Sequence, residues 1–216
     1  MRWINKLYLY DTYRASDKPN NISATGLLGP LYQANLKLTG APKNEDLIEL
    51  KFKRSSMIGT AVHERAEKAF NDESGVEQEL FMERSVEVDG TTYWISGTCD
   101  LLQREDDGTT TICDWKTGYG KDRKSAALDK DAMQMSIYRW LLQDDFNIND
   151  TAYSLFISQS NNEQHEYPVE LFDLDYIQEF IETKIWAALQ QELPDCNDSV
   201  KYNSCTYCTF ECSHRQ

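Results

Sequence analysis

The segment 98–115 constrains the fold of this chain more than any other, because it predicts a β-hairpin with two acidic residues at matching positions. The turn-forming residues at 105–108, Glu-Asp-Asp-Gly, are flanked by runs rich in β-branched side chains, as in two antiparallel strands. Asp100 and Asp114 lie seven residues before and after Asp107, so a register centred there sets them opposite each other. Their Cβ atoms would then be roughly 5 Å apart.

Two facing carboxylates repel each other, so this pair predicts a cation between the strands, and a divalent metal ion is the simplest one. Lys116 follows Asp114 by two positions and, because strand side chains alternate, points to the same face. Two acids and an ammonium group therefore converge on one small volume, as metal-assisted phosphodiester hydrolysis requires. A same-face ion pair of Asp114 and Lys116 is the simpler alternative, but it leaves Asp100 unexplained.

The 216 residues, 40% of them hydrophobic, suffice for one domain with a substantial core and a small appendage. We expect one domain over 1–193, with a helical N-terminal part to about residue 58 and a catalytic core from about residue 59, and then a cysteine-rich segment at 194–216. No window approaches the roughly 18 apolar residues of a membrane span, and the N-terminus lacks the pattern of an export signal. We therefore expect a soluble, intracellular protein.

Periodicity predicts an α/β fold with a mixed central sheet flanked by helices. Residues 43–56 are expected to be polar and mobile. The expected helices lie within 22–38 with a break at Gly29-Pro30, at 61–71 with Thr60 as N-cap, at 129–143, and from Asp173 to about Glu192. Besides the hairpin at 98–115, the expected strands lie at 80–88 and 91–96, joined by Asp89-Gly90, and at 152–158 and 165–171.

Four short motifs follow one another between residues 59 and 138. They are Gly59-x-x-x-His63, Gly97-x-x-Asp100, Asp114-x-Lys116 and Gln134-x-x-x-Tyr138. Each motif alone is weak evidence. In this order, on a predicted helix, hairpin and helix, they resemble the PD-(D/E)XK nuclease superfamily, and within it the RecB-like and CRISPR-associated iron–sulfur exonucleases.

The resemblance implies a metal site and a set of catalytic side chains. His63, Asp100 and Asp114 would bind a divalent ion together with the backbone carbonyl of Trp115. Such an oxygen-rich set suits Mg²⁺, and the imidazole makes Mn²⁺ particularly acceptable.

The resemblance assigns the remaining catalytic roles to three residues. Lys116 would orient or help to deprotonate the attacking water and stabilise charge on the phosphoryl oxygens. Gln134 and Tyr138, one helical turn apart, would reach the active site or the DNA backbone. The alternative for these two residues is that they are polar positions of a half-buried helix.

Four of the six cysteines lie within the last 21 residues, namely Cys196, Cys205, Cys208 and Cys212. This clustering favours a metal site over a disulfide framework. The iron–sulfur relatives carry an early cysteine where this chain has Gly29-Pro30-Leu31, which leaves Cys196 as the fourth thiolate of a [4Fe-4S] cluster. His214 in that role would favour Zn²⁺ instead, and loss of the metal is a third alternative.

The formal net charge of −14 argues against broad, non-specific binding of DNA, because phosphate contacts need positive charge. The acidic surface would suit a basic protein partner. We expect the positive charge to be confined to one groove, where five residues would contact the phosphate backbone: Lys53, Arg54, Lys121, Arg123 and Lys124. Each of these alone is as well explained as ordinary solvated charge.

Together these features predict a metal-dependent DNA nuclease, and among nucleases an exonuclease acting on DNA ends in recombination, repair or genome processing. The alternative is a DNA- or partner-binding module that keeps the nuclease scaffold within a larger complex and does not cut. The complete ligand set and the intact Lys116 favour the enzyme. The sequence leaves both a monomer and a homo-oligomer as alternatives, and no membrane partner is expected. A compact nuclease of this kind would suit a virus or mobile element in its host cell.

Overall fold

The computed structural model describes residues 16–42, 50–70, 73–161 and 163–190, without the side chains of residues 50–57 and 67. Its elements, in chain order, are β1 (Asn21–Ser23), α1 (Ala24–Leu27), α2 (Leu31–Leu38), α3 (Leu50–Phe70), β2 (Val76–Val88), β3 (Thr91–Arg104), β4 (Thr110–Gly118), α4 (Ser125–Leu142), β5 (Thr151–Ser158), β6 (Gln164–Glu170) and α5 (Leu174–Leu189).

The strands of the described residues form one mixed sheet in the order β1-β3-β4-β5-β6, with β2 paired to β3 outside this path. β2 and β3 are antiparallel and turn at Asp89 and Gly90, whose φ angles of 50° and 73° are those that a two-residue hairpin requires. β4 and β5 are parallel, and β6 runs antiparallel to β5. The mixed sheet, with helices packed against it, confirms the predicted fold class.

One edge of β3 changes partner along its length. β1 pairs in parallel with residues 94–96, and β4 pairs antiparallel with residues 101–104, whereas β2 covers the opposite edge. Between these pairings, residues 97–100 have no strand partner on this edge among the residues that the structure describes. β4 leaves β3 at this point and pairs with β5. The Gly97-x-x-Asp100 motif therefore lies in a fork of the sheet.

The predicted register of the β3–β4 hairpin is confirmed. Leu101 pairs with Cys113 and Arg104 with Thr110, which is the symmetry expected about residue 107. Asp100 is thereby level with Asp114, one position beyond the last strand pair. β3 itself is one continuous strand through residue 97, because β2 pairs with it on both sides of that position.

The predicted start of the third helix is wrong. α3 begins at Leu50, so Thr60 lies inside the helix and is not its N-cap. The mobile segment expected at 43–56 is helical from residue 50 onward, and 43–49 lie outside the described residues. A threonine starts a helix only where the preceding chain is not helical, and the residues before Thr60 include good helix formers.

The other elements match the predictions to within a few residues. Ser23 caps α1 by accepting a hydrogen bond from the Gly26 N–H at 3.1 Å, and the chain breaks at Gly29-Pro30 as expected. α4 starts four residues before the predicted Asp129. Asp173 is the N-cap of α5, which ends at Leu189; the predicted end, Glu192, lies outside the described residues. Strand β1 is an addition to the predicted set.

Side chains of β4 alternate between two helices. Asp114 and Lys116 contact Gln134 of α4, whereas the ring of Trp115 packs near Phe70 of α3, with centroids 6.3 Å apart. α4 and α5 close the core with fully buried residues, among them Met135, Ile137, Ile177, Ile181 and Ile185. No helix of the described residues is both long enough and apolar enough to cross a bilayer.

Candidate active site

Asp100 lies in the fork of the sheet and uses its two carboxylate oxygens differently. Oδ2 accepts a hydrogen bond from the backbone N–H of Trp115 at 2.8 Å, so the side chain replaces a strand hydrogen bond where β4 leaves β3. Oδ1 lies 3.4 Å from Nδ1 of His63, which α3 supplies. The backbone contact thus fixes the carboxylate and leaves its other oxygen beside the imidazole.

Glu79 of β2 joins Asp100 and His63 in one cluster. Its Oε1 lies 3.8 Å from Nδ1 of His63, and one ligand atom from each of the three residues lies within 4.8 Å of the others. Burial alone would lower the pKa of His63, but the adjacent carboxylates of Asp100 and Glu79 and the negative charges of Asp100 and Asp114 outweigh burial and raise this pKa to about 10. In the absence of metal, the imidazole is therefore a cation at neutral pH.

Asp114 is almost fully buried, with 1% of its surface exposed. Its Oδ2 forms an ion pair with Nζ of Lys116, and its Oδ1 accepts a hydrogen bond from Nε2 of Gln134 at 3.3 Å. Burial and the charge of Asp100 raise the pKa of Asp114 to about 7, although Lys116 opposes this shift. Burial would lower the pKa of Lys116, but the neighbouring carboxylates outweigh it and raise that pKa, so Lys116 is an ammonium ion.

The amide of Gln134 joins the Asp114-x-Lys116 motif to α4. Its Oε1 accepts a hydrogen bond from Nζ of Lys116 at 3.1 Å, and its Nε2 donates to Asp114 and, at 2.6 Å, to the hydroxyl of Tyr138. An ammonium group only donates and a carboxylate only accepts, so a reversed amide would face donor with donor and acceptor with acceptor. Gln134 is therefore oriented by its neighbours and holds both of them in place.

Gly97 allows Tyr138 to reach this position. A Cβ atom at residue 97 would lie 2.8 Å from Cε1 of Tyr138, which is closer than two carbon atoms approach unless one of them moves. The glycine of the Gly97-x-x-Asp100 motif is thus required for close packing of α4 on β3. At Gly59, in contrast, the one contact that a Cβ would make with the described residues is an ordinary one, with Oγ1 of Thr117 at 3.7 Å.

Arg123, one of the predicted DNA contacts, has its guanidinium group in an ion pair with the carboxylate of Asp131 in α4. Asp131 is buried and also accepts a hydrogen bond from the Ser154 hydroxyl at 2.7 Å. The guanidinium carbon lies 5.8 Å from the centre of the Phe156 ring. Arg123 therefore anchors the loop between β4 and α4 to the helix that carries Gln134.

The other predicted contacts are exposed or lie outside the described part of the chain. Lys121 and Lys124 are exposed on the loop that Arg123 anchors. Lys53 and Arg54 lie in α3, and their side chains are not described. The predicted cluster or zinc ligands fall outside the described residues: Cys196, Cys205, Cys208, Cys212 and the alternative His214.

The structure brings together all six predicted catalytic residues and adds two acids that were not among them. Glu79 lies ten residues before Asp89, as Asp100 lies ten residues after Gly90, so the symmetry of the Asp-Gly hairpin already places Glu79 opposite Asp100. Asp131 precedes Gln134 by three residues and is therefore on the same face of α4. The sequence patterns could therefore have predicted the positions of both acids.

Known proteins resemble this chain in sequence and in fold. A family model described as the PD-(D/E)XK nuclease superfamily matches residues 45–213. The CRISPR-associated exonuclease Cas4 of Saccharolobus solfataricus is 30% identical over 87 residues, which are 40% of this chain and 42% of that protein. The chain thus matches less than half the length of this curated relative.

The solved structure of SSO0001 has a similar fold. It aligns with a TM-score of 0.64 and 22% sequence identity, over 88% of this chain and 85% of the other. At this level of identity the likeness concerns the fold, and it extends over most of both chains.

We expect Gly97→Ala to lower the free energy of unfolding by about 1–3 kcal/mol, because the added methyl group must displace Tyr138 in a packed core. Gly59→Ala is the matched control. It should be neutral or stabilise by up to about 1 kcal/mol, since alanine favours a helix and meets only ordinary contacts. Urea denaturation of both variants measures the difference, and equal stabilities would contradict the packing role of Gly97.

In chelator, we expect the stability of the protein to fall above neutral pH partly through His63. The pKa of this residue is about 10 in the folded protein and about 6.5 in the unfolded chain, so its stabilising contribution is complete below pH 6.5 and lost as pH rises through 10. His63→Gln should remove this part of the pH dependence. For a single proton, the free energy of unfolding changes by at most about 1.4 kcal/mol per pH unit, and the contribution of His63 should be smaller than this limit.

Urea denaturation of both proteins between about pH 7.5 and 9.5 measures this effect. The other titrating groups are present in both proteins, so the difference between the profiles reports the proton of His63 together with its effect on the carboxylates it faces, Asp100, Glu79 and Asp114. Parallel profiles would show that His63 gains no proton affinity on folding.

Proposed function

Because the chain belongs to the PD-(D/E)XK nuclease superfamily, we propose that it is a metal-dependent deoxyribonuclease, and specifically an exonuclease that hydrolyses phosphodiester bonds at DNA ends. The observation that carries this proposal is the convergence of all four motifs at the fork of the sheet. The partial match to an exonuclease supports the preference for DNA ends. Recombination, repair and genome processing are the processes that such an activity would serve.

The donor set at the fork fits a hard divalent cation such as Mg²⁺ or Mn²⁺. Asp100 and Asp114 offer carboxylate oxygens, and His63 offers an imidazole nitrogen. Oδ2 of Asp114 is buried against the ammonium group of Lys116, and Oδ1 accepts a hydrogen bond of 3.3 Å from Gln134. Two carboxylate oxygens have about four acceptor sites, so Asp114 could also bind a cation. The backbone carbonyl of Trp115, next to Asp114, would complete the set.

When bound, the cation would act as a Lewis acid and stabilise the negative charge that develops on the phosphoryl oxygens. Lys116 is held by Asp114 and Gln134, so its ammonium group would orient the attacking water and donate a hydrogen bond to the same oxygens. In the absence of a bound cation the carboxylates of Asp114 and Asp100 raise the pKa of Lys116, so the ammonium form is the donor to Asp114 and Gln134. In-line attack would leave a 5′-phosphate and a 3′-hydroxyl.

The loop between β4 and α4 is the part of the proposed DNA-binding surface with described side chains. Lys121 and Lys124 would contact phosphates there, whereas Arg123 would act by holding the loop on Asp131. Lys53 and Arg54 of α3 remain predicted contacts. Confining positive charge to this region reconciles DNA binding with a net charge of −14.

The C-terminal cysteines are proposed to hold a [4Fe-4S] cluster, with Zn²⁺ as the alternative. The match of the nuclease family model extends to residue 213, which supports a connection between this segment and the nuclease unit. A basic protein partner on the acidic surface and a homo-oligomer are further hypotheses that follow from the charge.

End-labelled linear DNA and circular DNA, incubated with Mn²⁺, Mg²⁺ or chelator, test the nuclease. The linear substrate should disappear only with metal, and the circle should be spared. Asp114→Asn and Lys116→Met should each lower the rate by about 100-fold or more, because the first removes a carboxylate that would hold the cation and the second removes the ammonium group that would face the phosphoryl oxygens. Asp107→Asn is the matched control, since its carboxylate accepts hydrogen bonds from Thr109 in an exposed turn away from the fork.

The outcomes separate the two candidate functions. Metal-dependent loss of the linear DNA that vanishes in both site variants and persists in Asp107→Asn supports the exonuclease. Cleavage of the circle would make the enzyme an endonuclease. Binding without cleavage under every condition would favour the non-cutting module within a larger complex.

Neutralising the loop should weaken DNA binding in a salt-dependent way. The double variant Lys121→Ala with Lys124→Ala should reduce the slope of log affinity against log salt by about 1–2, because each phosphate contact contributes about 0.9. Arg104→Ala is the control for charge alone, since it pairs with Glu77 at the end of β3. Fluorescence anisotropy in Ca²⁺ measures the slope, and an unchanged slope would remove both lysines from the DNA-binding surface.

A further inference from the structure

Glu79 occupies a position that ordinary strand pairing does not explain. Gln78 pairs with Leu101 and Leu80 with Cys99, which leaves Glu79 level with Asp100 on the neighbouring strand. The φ angle of Glu79 is 48°, a left-handed conformation that residues with a Cβ atom rarely adopt in the middle of a strand. The ladder is interrupted only at this residue and continues in the same register on both sides.

This position brings Glu79 to the acidic fork from the side opposite Asp114. β2 and β4 lie on the two edges of β3, so the two carboxylates approach Asp100 from different directions. Oε1 of Glu79 lies 3.8 Å from Nδ1 of His63, which lies 3.4 Å from Oδ1 of Asp100. Ligand atoms around one ion with bonds of roughly 2.0–2.2 Å are about 3–4.4 Å apart, so both spacings are those of a coordination shell.

An ordinary surface ion pair between Glu79 and protonated His63 is the simpler alternative. A partly exposed pair of this kind contributes little to stability, whereas the left-handed backbone of Glu79 is itself unfavourable. Among the described residues, the group of close ligand atoms consists of His63, Glu79 and Asp100, whereas the carboxylate of Asp114 is held by Lys116 and Gln134. These features together favour a ligand role over a surface contact.

We infer that Glu79 is a further protein ligand of the divalent cation, an inference that rests on the proposed metal-dependent nuclease function. The Glu79 carboxylate would hold the ion together with His63 and Asp100, and Asp114 of β4 would supply a further oxygen. The left-handed backbone at Glu79 turns its side chain toward Asp100.

Mn²⁺ binding to the full chain, after removal of metal by chelator, tests this role without DNA and without measuring activity. Mn²⁺ is the probe because it prefers oxygen and nitrogen ligands over the thiolates of the C-terminal segment. Isothermal titration and the loss of the free Mn²⁺ spectrum in electron paramagnetic resonance both report the affinity. Glu79→Gln should weaken binding by about 10-fold or more, the range found when groups supporting a metal site are removed.

Glu77→Gln is the matched control, because Glu77 lies two residues away on the same strand and pairs with Arg104 at the surface. Its Mn²⁺ affinity should stay within about twofold of the wild type, since it is remote from the metal ligands. Glu79→Gly removes the carboxylate and accommodates the left-handed backbone. It should weaken Mn²⁺ binding as Glu79→Gln does, with a melting temperature in chelator no lower than that of the wild type.

The outcomes distinguish this inference from the proposed function. Wild-type affinity in both Glu79 variants would overturn the ligand role and leave the metal-dependent nuclease intact. Equal weakening in Glu79→Gln and Glu77→Gln would also overturn it, because the effect would then be one of general charge. If the wild-type protein itself bound no Mn²⁺, both the ligand role and the metal-dependent function would fail.

Discussion

Repulsion between Asp100 and Asp114 is the constraint on which the rest of the site depends. Two carboxylates level with each other, one of them buried, would drive the strands apart unless donors and cations surrounded them. Each neighbouring element supplies one such group: β4 the ammonium of Lys116 and the N–H of Trp115, α4 the amide of Gln134, and α3 the imidazole of His63. The positions of α3 and α4 on the sheet therefore depend on their interactions with this one pair of acids.

The fork of the sheet creates this site because the strand ladder stops there. Once β4 turns away from β3, backbone groups of both strands lose their partners, and a side chain can take over one of them, as Asp100 does for Trp115. The alternation of β4 then directs successive side chains to α4 and to α3. β1 occupies the remaining part of the same edge, so the opening is limited to residues 97–100.

Local patterns predicted the parts of the fold that depend on neighbouring residues. The register of the β3–β4 hairpin follows from its own turn, and the four motifs fall on the elements expected for them. Pairing of β1 with β3 joins residues more than 70 positions apart, which no local pattern specifies. The fate of Arg123 depends on a buried acid eight residues later, and positive charge alone gave no indication of that partner. The left-handed backbone of Glu79 belongs to the same class of tertiary effects.

The protonated His63 and Lys116 already balance the acidic fork before any metal arrives. A metal ion that binds these residues would first have to displace the proton of His63, because an imidazole ligates metal only in its neutral form. Metal binding at the fork would therefore release a proton, and the affinity of the site for a divalent cation would fall as the pH falls.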